Sequence, residues 1–313
     1  MTRLLGPILC CCWLLLSFSS KGQRRKAAPA PAPVSEQPLA VLPFTYSGHH
    51  VIIKAAISGL PDSLSLIFDS GAEVTILHKG MAETLKLTAL QGKGVSATNN
   101  MMLEMQTATL STLYMGNVRV PFLKVYIENL QEFRTGTVKA DGIIGVDLLK
   151  QYIVTIDYPR QQLRLYRNGN TPTTIPGQRL AMKLNYVTPV LNATIQLPGG
   201  QSLTGNYHLT TGGDYGILFN WPYTDAHRLN EILPTVDTDR VQDMLRVLTY
   251  INSTIPLLSI NNAQFRQVPV SYCKDINDDG AFMEVAGSIG CQIWKQCVLT
   301  INYNKKEVIL QQR

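Results

Sequence analysis

The sequence predicts an all-β chain, mainly strand with a few short helices, folded as two similar lobes. Three observations predict it. Most of the chain after residue 43 consists of short β-rich runs or segments alternating with period two, such as VIIKAAIS (Val51 to Ser58) and NVRVPFLKVYI (Asn117 to Ile127). Helical patterns are confined to short pieces near 79–87, 146–151, 224–233 and 291–296. The chain also repeats once, and the repeat contains a carboxylate held in a tight loop between two apolar strands.

The loop lies in LSLIFDSGAEVTIL (Leu64 to Leu77), where Asp69, Ser70 and Gly71 end one apolar strand and a second leaves directly after. Asp-Ser-Gly alone is ordinary turn chemistry. About seventy residues on comes ADGIIGVDLL (Ala140 to Leu149), two aliphatics held between Gly142 and Gly145, then a short helical run and the strand YIVTIDY. Together these segments resemble one lobe of the pepsin and retropepsin family of aspartic peptidases. The resemblance implies that Asp69 is catalytic and that the Gly-Ile-Ile-Gly segment threads past it and holds it still.

The repeat extends the resemblance to the second half. Tyr152 to Tyr166 matches Cys297 to Gln311, with Thr155 over Thr300, Ile156 over Ile301 and Tyr158 over Tyr303, a shift of 145 positions. At that shift Gly142, Ile144 and Gly145 fall on Gly287, Ile289 and Gly290, a second threading segment. Nearer the N-terminus the shift becomes 141, as loop-length differences allow, and lays Asp69-Ser70-Gly71-Ala72 over Thr210-Thr211-Gly212-Gly213. The expected architecture is therefore two acid-protease-type lobes with a cleft between them. Asp69 and Thr210 face each other at its base, and Ser70 and Thr211 lock the loops together.

The second lobe keeps the loop and loses the acid. In the family two aspartates share one proton. Carboxylates about 3 Å apart do not both ionise, so one serves as base and the other as acid. A threonine hydroxyl does not titrate in that range, although it hydrogen-bonds water, and losing an acid/base partner typically costs about 10²–10⁴ in rate. Glu73 and Asp214, four residues after Asp69 and Thr210, sit where retropepsins bind the substrate backbone; loop-capping carboxylates are the other reading. His208 takes the place of Ile67, two residues before the loop residue, and reads as a hydrogen-bonded, partly buried histidine. GVSATNNMMLEMQTATL (Gly94 to Leu110) fits the family's flap, with Asn99-Asn100 at its tip and Met101 and Met102 as an adaptable apolar surface over a peptide.

The remaining segments bound the function. Residues 1–22, with LLGPILCCCWLLLSF after Arg3, read as a signal peptide or N-terminal anchor, too short for a comfortable span. Residues 23–43 read as a Pro/Ala-rich linker, 44–170 as the N-terminal lobe and 171–313 as a degenerate C-terminal lobe. Residues 1–43 hold five of the 28 Lys and Arg but one of the 22 acids, so only +2 of the net +6 belongs to the body, too little for a nucleic-acid surface. No cofactor is expected. His49-His50 lacks partners at zinc-ligand spacing, and Asp275 to Gly280 matches half a calcium loop but lacks its twelfth-position acid, so no metal is expected either. Cys273, Cys291 and Cys297 allow one disulfide and one thiol or, preferably, three buried thiols. These features point to an exported monomer (periplasmic, extracellular or envelope-associated) that meets a membrane only if its leader is uncleaved. Its expected function is peptide-bond hydrolysis through Asp69, with impaired activity. The alternatives are a non-catalytic peptide-binding protein on the same fold and, less favoured, a homodimer pairing two Asp69 loops.

Overall fold

Alternation along the strands determines how they pack. In Ala40–Ser47 the side chains of Ala40, Leu42 and Phe44 are buried while Val41, Pro43 and Thr45 face out, the period of a strand with one wetted face. Val118–Glu128 and its repeat mate Ala263–Cys273 alternate in the same way and slip phase at the same point. The slip falls at Phe122 and Gln267, both in the left-handed region with φ near 50°. Ser111 opposite Phe122, and Pro256 opposite Gln267, drop out of their ladders while the register on either side is unchanged, so both strands of each pair kink together and Phe122 turns out, 79% exposed.

A computed structural model describes residues 36–58, 60–95, 102–130, 134–135, 138–242, 247–273 and 284–313. Both halves follow one plan. In the first, His50–Ile57, Leu64–Phe68, Gly142–Ile144, Ile76–His78, Val118–Glu128, Met102–Met115 and Leu90–Val95 lie in that order across a sheet. In the second the order is Lys183–Asn185, Thr188–Gln196, Ser202–Leu209, Gly287–Ile289, Ile217–Phe219, Ala263–Cys273, Val247–Ile260 and Asp237–Gln242. Each threading segment runs parallel to its loop strand, with Ile143 beside Ile67 and Ser288 beside His208.

Six strands join the halves: Gln178–Ala181, Glu307–Gln312, Cys297–Asn302, Tyr152–Asp157, Gln162–Arg167 and the start of Ala40–Ser47. At their centre Thr155 and Thr300, equivalent in the repeat, are antiparallel neighbours whose hydroxyls bond at 2.7 Å in the core. Val154 pairs with Ile301 and Ile156 with Leu299, so the local two-fold relating the lobes passes through the threonine pair. Residues Val51, Ile53, Ile156, Leu299 and Ile301 are fully buried nearby. Each such aliphatic contributes about 1.5–3 kcal/mol of burial.

Two boundaries differ from expectation. The first strand begins at Ala40, inside the expected 23–43 linker, because Ala40 and Leu42 alternate into the core and Ala40–Pro43 pair with Gln162–Leu165. The helical run expected over 224–233 forms two short helices, Trp221–Ala226 and Leu229–Ile232, since Arg228 between them adopts a left-handed conformation, φ 52°. Cys273, Cys291 and Cys297 are buried free thiols. Among the described residues no helix is long and apolar enough to cross a membrane and no cluster of side chains could hold a metal ion. The leader, Asn99-Asn100, Met101 and most of the calcium-like loop lie outside the described residues, as does the side chain of Met102.

Candidate active site

Asp69 leaves the end of Leu64–Phe68 and is fixed from behind by the threading segment: its amide donates to the Ile144 carbonyl at 2.9 Å. Gly145 admits the loop at closest range, for a Cβ there would lie 2.0 Å from the Asp69 carbonyl oxygen. In the second lobe the Thr210 amide donates to the Ile289 carbonyl at 3.1 Å, and Gly290 passes 2.5 Å, measured from an added Cβ, from the Tyr215 carbonyl.

Ser70 and Thr211 join the loops reciprocally. The Ser70 hydroxyl donates to the Leu209 carbonyl at 2.8 Å, and the Thr211 hydroxyl donates to the Phe68 carbonyl at 3.1 Å. The Ser70 amide donates to Thr211 Oγ1 at 2.9 Å, and both side chains are fully buried. These bonds press the two loops together. An added Cβ on Gly71 would lie 2.8 Å from Thr210 Cγ2 and 3.2 Å from Asp69 Oδ1, so those atoms are at most 6.0 Å apart. On Gly212 it would lie 2.3 Å from Asp69 Cγ. Any side chain at Gly212 would displace the carboxylate.

One Asp69 oxygen collects an amide from each lobe: Gly71 donates to Oδ1 at 2.8 Å and Gly212 at 2.9 Å. Burial nevertheless raises its proton affinity above the ordinary aspartate value, against the opposing effects of those amides and of His50. His50 comes from the neighbouring strand, where Ile52 pairs antiparallel with Ile67 and continuing the register two residues brings His50 opposite Asp69. In the sequence His50 carries no signal beyond zinc-ligand spacing that fails; its place beside Asp69 follows from the hairpin at Gly48-His49, which sets the register of its strand.

Thr210 is held differently from Asp69. Its hydroxyl lies 3.1 Å from the Tyr215 phenol and 3.2 Å from the Ile289 carbonyl, to which it donates. Burial pushes the Tyr215 phenol up to about 12, so it stays protonated at working pH. Tyr215 was not singled out in the sequence, since an aromatic after a glycine pair has no distinctive spacing. Beneath the loops the Cys291 thiol donates to the Thr211 carbonyl at 2.7 Å, and burial pushes its pKa up to about 12.

The remaining candidates sit around this centre. Glu73 is half-buried, and burial raises its pKa against the pull of Lys150. Asp214 is exposed, 3.6 Å from His49 Nε2 across the lobe boundary and 3.2 Å from Gln292 Nε2. His208 is buried, bonds the Asn185 side chain at 3.1 Å, and is pushed down to about 4 by desolvation, leaving it neutral. The arms of the expected flap, Leu90–Val95 and Met102–Met115, pair as an antiparallel hairpin, Val95 opposite Met102.

Residues 53–148 match the aspartyl protease family. No curated protein matches the chain. The structure is similar to the crystal structure of aspartic proteinase from Irpex lacteus, with a TM-score of 0.54 over 87% of this chain and 97% of that one at 13% identity. The matched segment carries Asp69, and the chain as a whole has the two-lobe aspartic proteinase fold.

Proposed function

We propose that the chain is an aspartic-type peptidase that binds an extended peptide between its lobes and hydrolyses it slowly through a single carboxylate, Asp69. The observation that carries this reading is the cradle of Asp69, whose Oδ1 is fixed by amides from both lobes. Ionised Asp69 takes a proton from water as the hydroxide adds to the peptide carbonyl. It then returns that proton to the leaving amine as the C–N bond breaks, so one group completes the cycle. With no second carboxyl, turnover is about 10²–10⁴ slower than a paired site allows. Glu73 and Asp214 flank the bound peptide.

A second reading, a peptide-binding protein without hydrolysis, is favoured by the Thr210 hydroxyl, whose bonds go to Tyr215 and the Ile289 carbonyl. Export as a monomer belongs to the same proposal and rests on the apolar leader and on the intramolecular pairing of Ser70 with Thr211. The test incubates the purified protein with a mixed peptide library from pH 3 to 8. Cleavage that Asp69→Asn abolishes supports the peptidase; peptide binding with no cleavage supports the second reading.

A further inference from the structure

We propose that the hydroxyls of Thr210, Tyr215 and Ser288 form a neutral hydrogen-bond relay that binds the developing oxyanion opposite Asp69, in the place the missing carboxyl would occupy. This rests on the single-carboxylate reading of the cleft and adds the group that receives the negative charge.

The second lobe has rebuilt the surroundings of its loop around a phenol. In the first lobe Ile52, Ile67, Leu130, Ala140 and Ile143 form a small apolar cluster with Ala72 packed against it. In the repeat, Ile67, Ala72 and Ile143 correspond to His208, Gly213 and Ser288. Gly213 is what admits the ring: a Cβ there would lie 2.4 Å from Tyr215 Cζ and 2.7 Å from its hydroxyl. Gly290 does the same on another side, its added Cβ 2.7 Å from Tyr215 Cδ2. The phenol so lodged reaches Thr210 Oγ1 at 3.1 Å, bonds Ser288 as well, and senses the charge on Asp69.

Proton directions follow from the acceptors. Thr210 donates to the Ile289 carbonyl, so Tyr215 is the donor toward Thr210. The bond to Ile289 is long at 3.2 Å, and rotation of one hydroxyl redirects its proton to a substrate carbonyl. Tyr215 keeps donating to Thr210 throughout, strengthening Thr210 as a donor. No proton leaves the relay: the oxyanion receives hydrogen bonds only, and the proton from water travels on Asp69 to the amine. The Tyr215 phenol holds the Thr210 oxygen in place, so only its proton has to turn as the charge develops, and donors positioned beforehand are the usual large electrostatic contribution to catalysis.

Tyr215→Phe tests the relay, because the retained ring still fills the space beside Gly213 and Gly290. Two readouts are taken on the purified protein: steady-state peptide cleavage, and calorimetric binding of a peptide with a secondary alcohol in place of the scissile carbonyl, compared with its methylene counterpart. The variant is expected to lose about tenfold or more in kcat with KM within twofold. It should bind the alcohol about tenfold more weakly and the methylene peptide unchanged. Thr210→Val should lose as much, and the double variant little more. A folded Tyr215→Phe protein within twofold of wild type in kcat and alcohol affinity overturns the relay, as does equal weakening toward both ligands. If the wild type cleaves nothing, the peptidase reading fails while the alcohol comparison still decides the relay.

Discussion

Thr210→Asp restores the missing acid at a position whose surroundings are known. Thr210 Cγ2 and Asp69 Oδ1 are at most 6.0 Å apart, so the new carboxylate falls within about 6 Å of Asp69. At an effective dielectric of about 20, two charges at that distance repel by about 3 kcal/mol. The first proton lost therefore raises the second ionisation by about two pH units. The amides of Gly71 and Gly212, which both serve Asp69, would be shared between the two carboxylates. Cleavage should rise about 10²–10⁴-fold at acid pH, and its pH profile should become bell-shaped. The assay is kcat/KM from pH 3 to 8 on one library-selected peptide, with circular dichroism and peptide binding as controls for folding. A folded, peptide-binding variant with wild-type rate and a single ionisation would refute the reasoning, because distance alone would then not restore proton sharing.

Asp69→Asn keeps the Oδ1 acceptor for both glycine amides and removes the charge. Since folding raises the Asp69 pKa above 3.8, its stabilising contribution is full below that value and lost as pH rises through the folded value. The variant should therefore gain stability relative to wild type from pH 3 to 7, by about 1.4 kcal/mol per tenfold change in proton affinity, read as the difference in Tm; an unchanged difference would contradict it. Removing one hydroxyl of the Thr155–Thr300 pair with a valine leaves a buried hydroxyl without its partner and should cost about 1–3 kcal/mol in urea unfolding. Replacing both should cost less than twice the single change, and strict additivity would argue against a coupled pair. Cys291, buried with its thiol pushed up to about 12, should resist alkylation at pH 8 until the protein unfolds; rapid native labelling would show that the loops open.

The repeat made the fold legible, because equivalent loops and threading segments follow from matched residues such as Gly142 and Gly287, and Thr155 and Thr300. That the last two touch on the local axis was not legible, since equivalence in sequence says nothing about where the symmetry axis runs. Asp69, Ser70 and Thr211 announced themselves by motif. His50 and Tyr215 did not: the first reaches Asp69 through strand register, the second because Gly213 and Gly290 leave room for a ring. The phase slips at Phe122 and Gln267 were likewise hidden, for each is a left-handed residue at an unpaired position of a ladder that otherwise keeps its register, and no residue type marks it.

The pH dependence of peptide cleavage by the wild-type protein tests the central claim most directly. A single carboxylate with a neutral hydroxyl partner predicts kcat/KM that rises through one ionisation above the ordinary aspartate range, stays level to pH 8 and vanishes in Asp69→Asn. A bell-shaped profile with an acid optimum, cleavage that survives Asp69→Asn, or no cleavage at micromolar protein would contradict it.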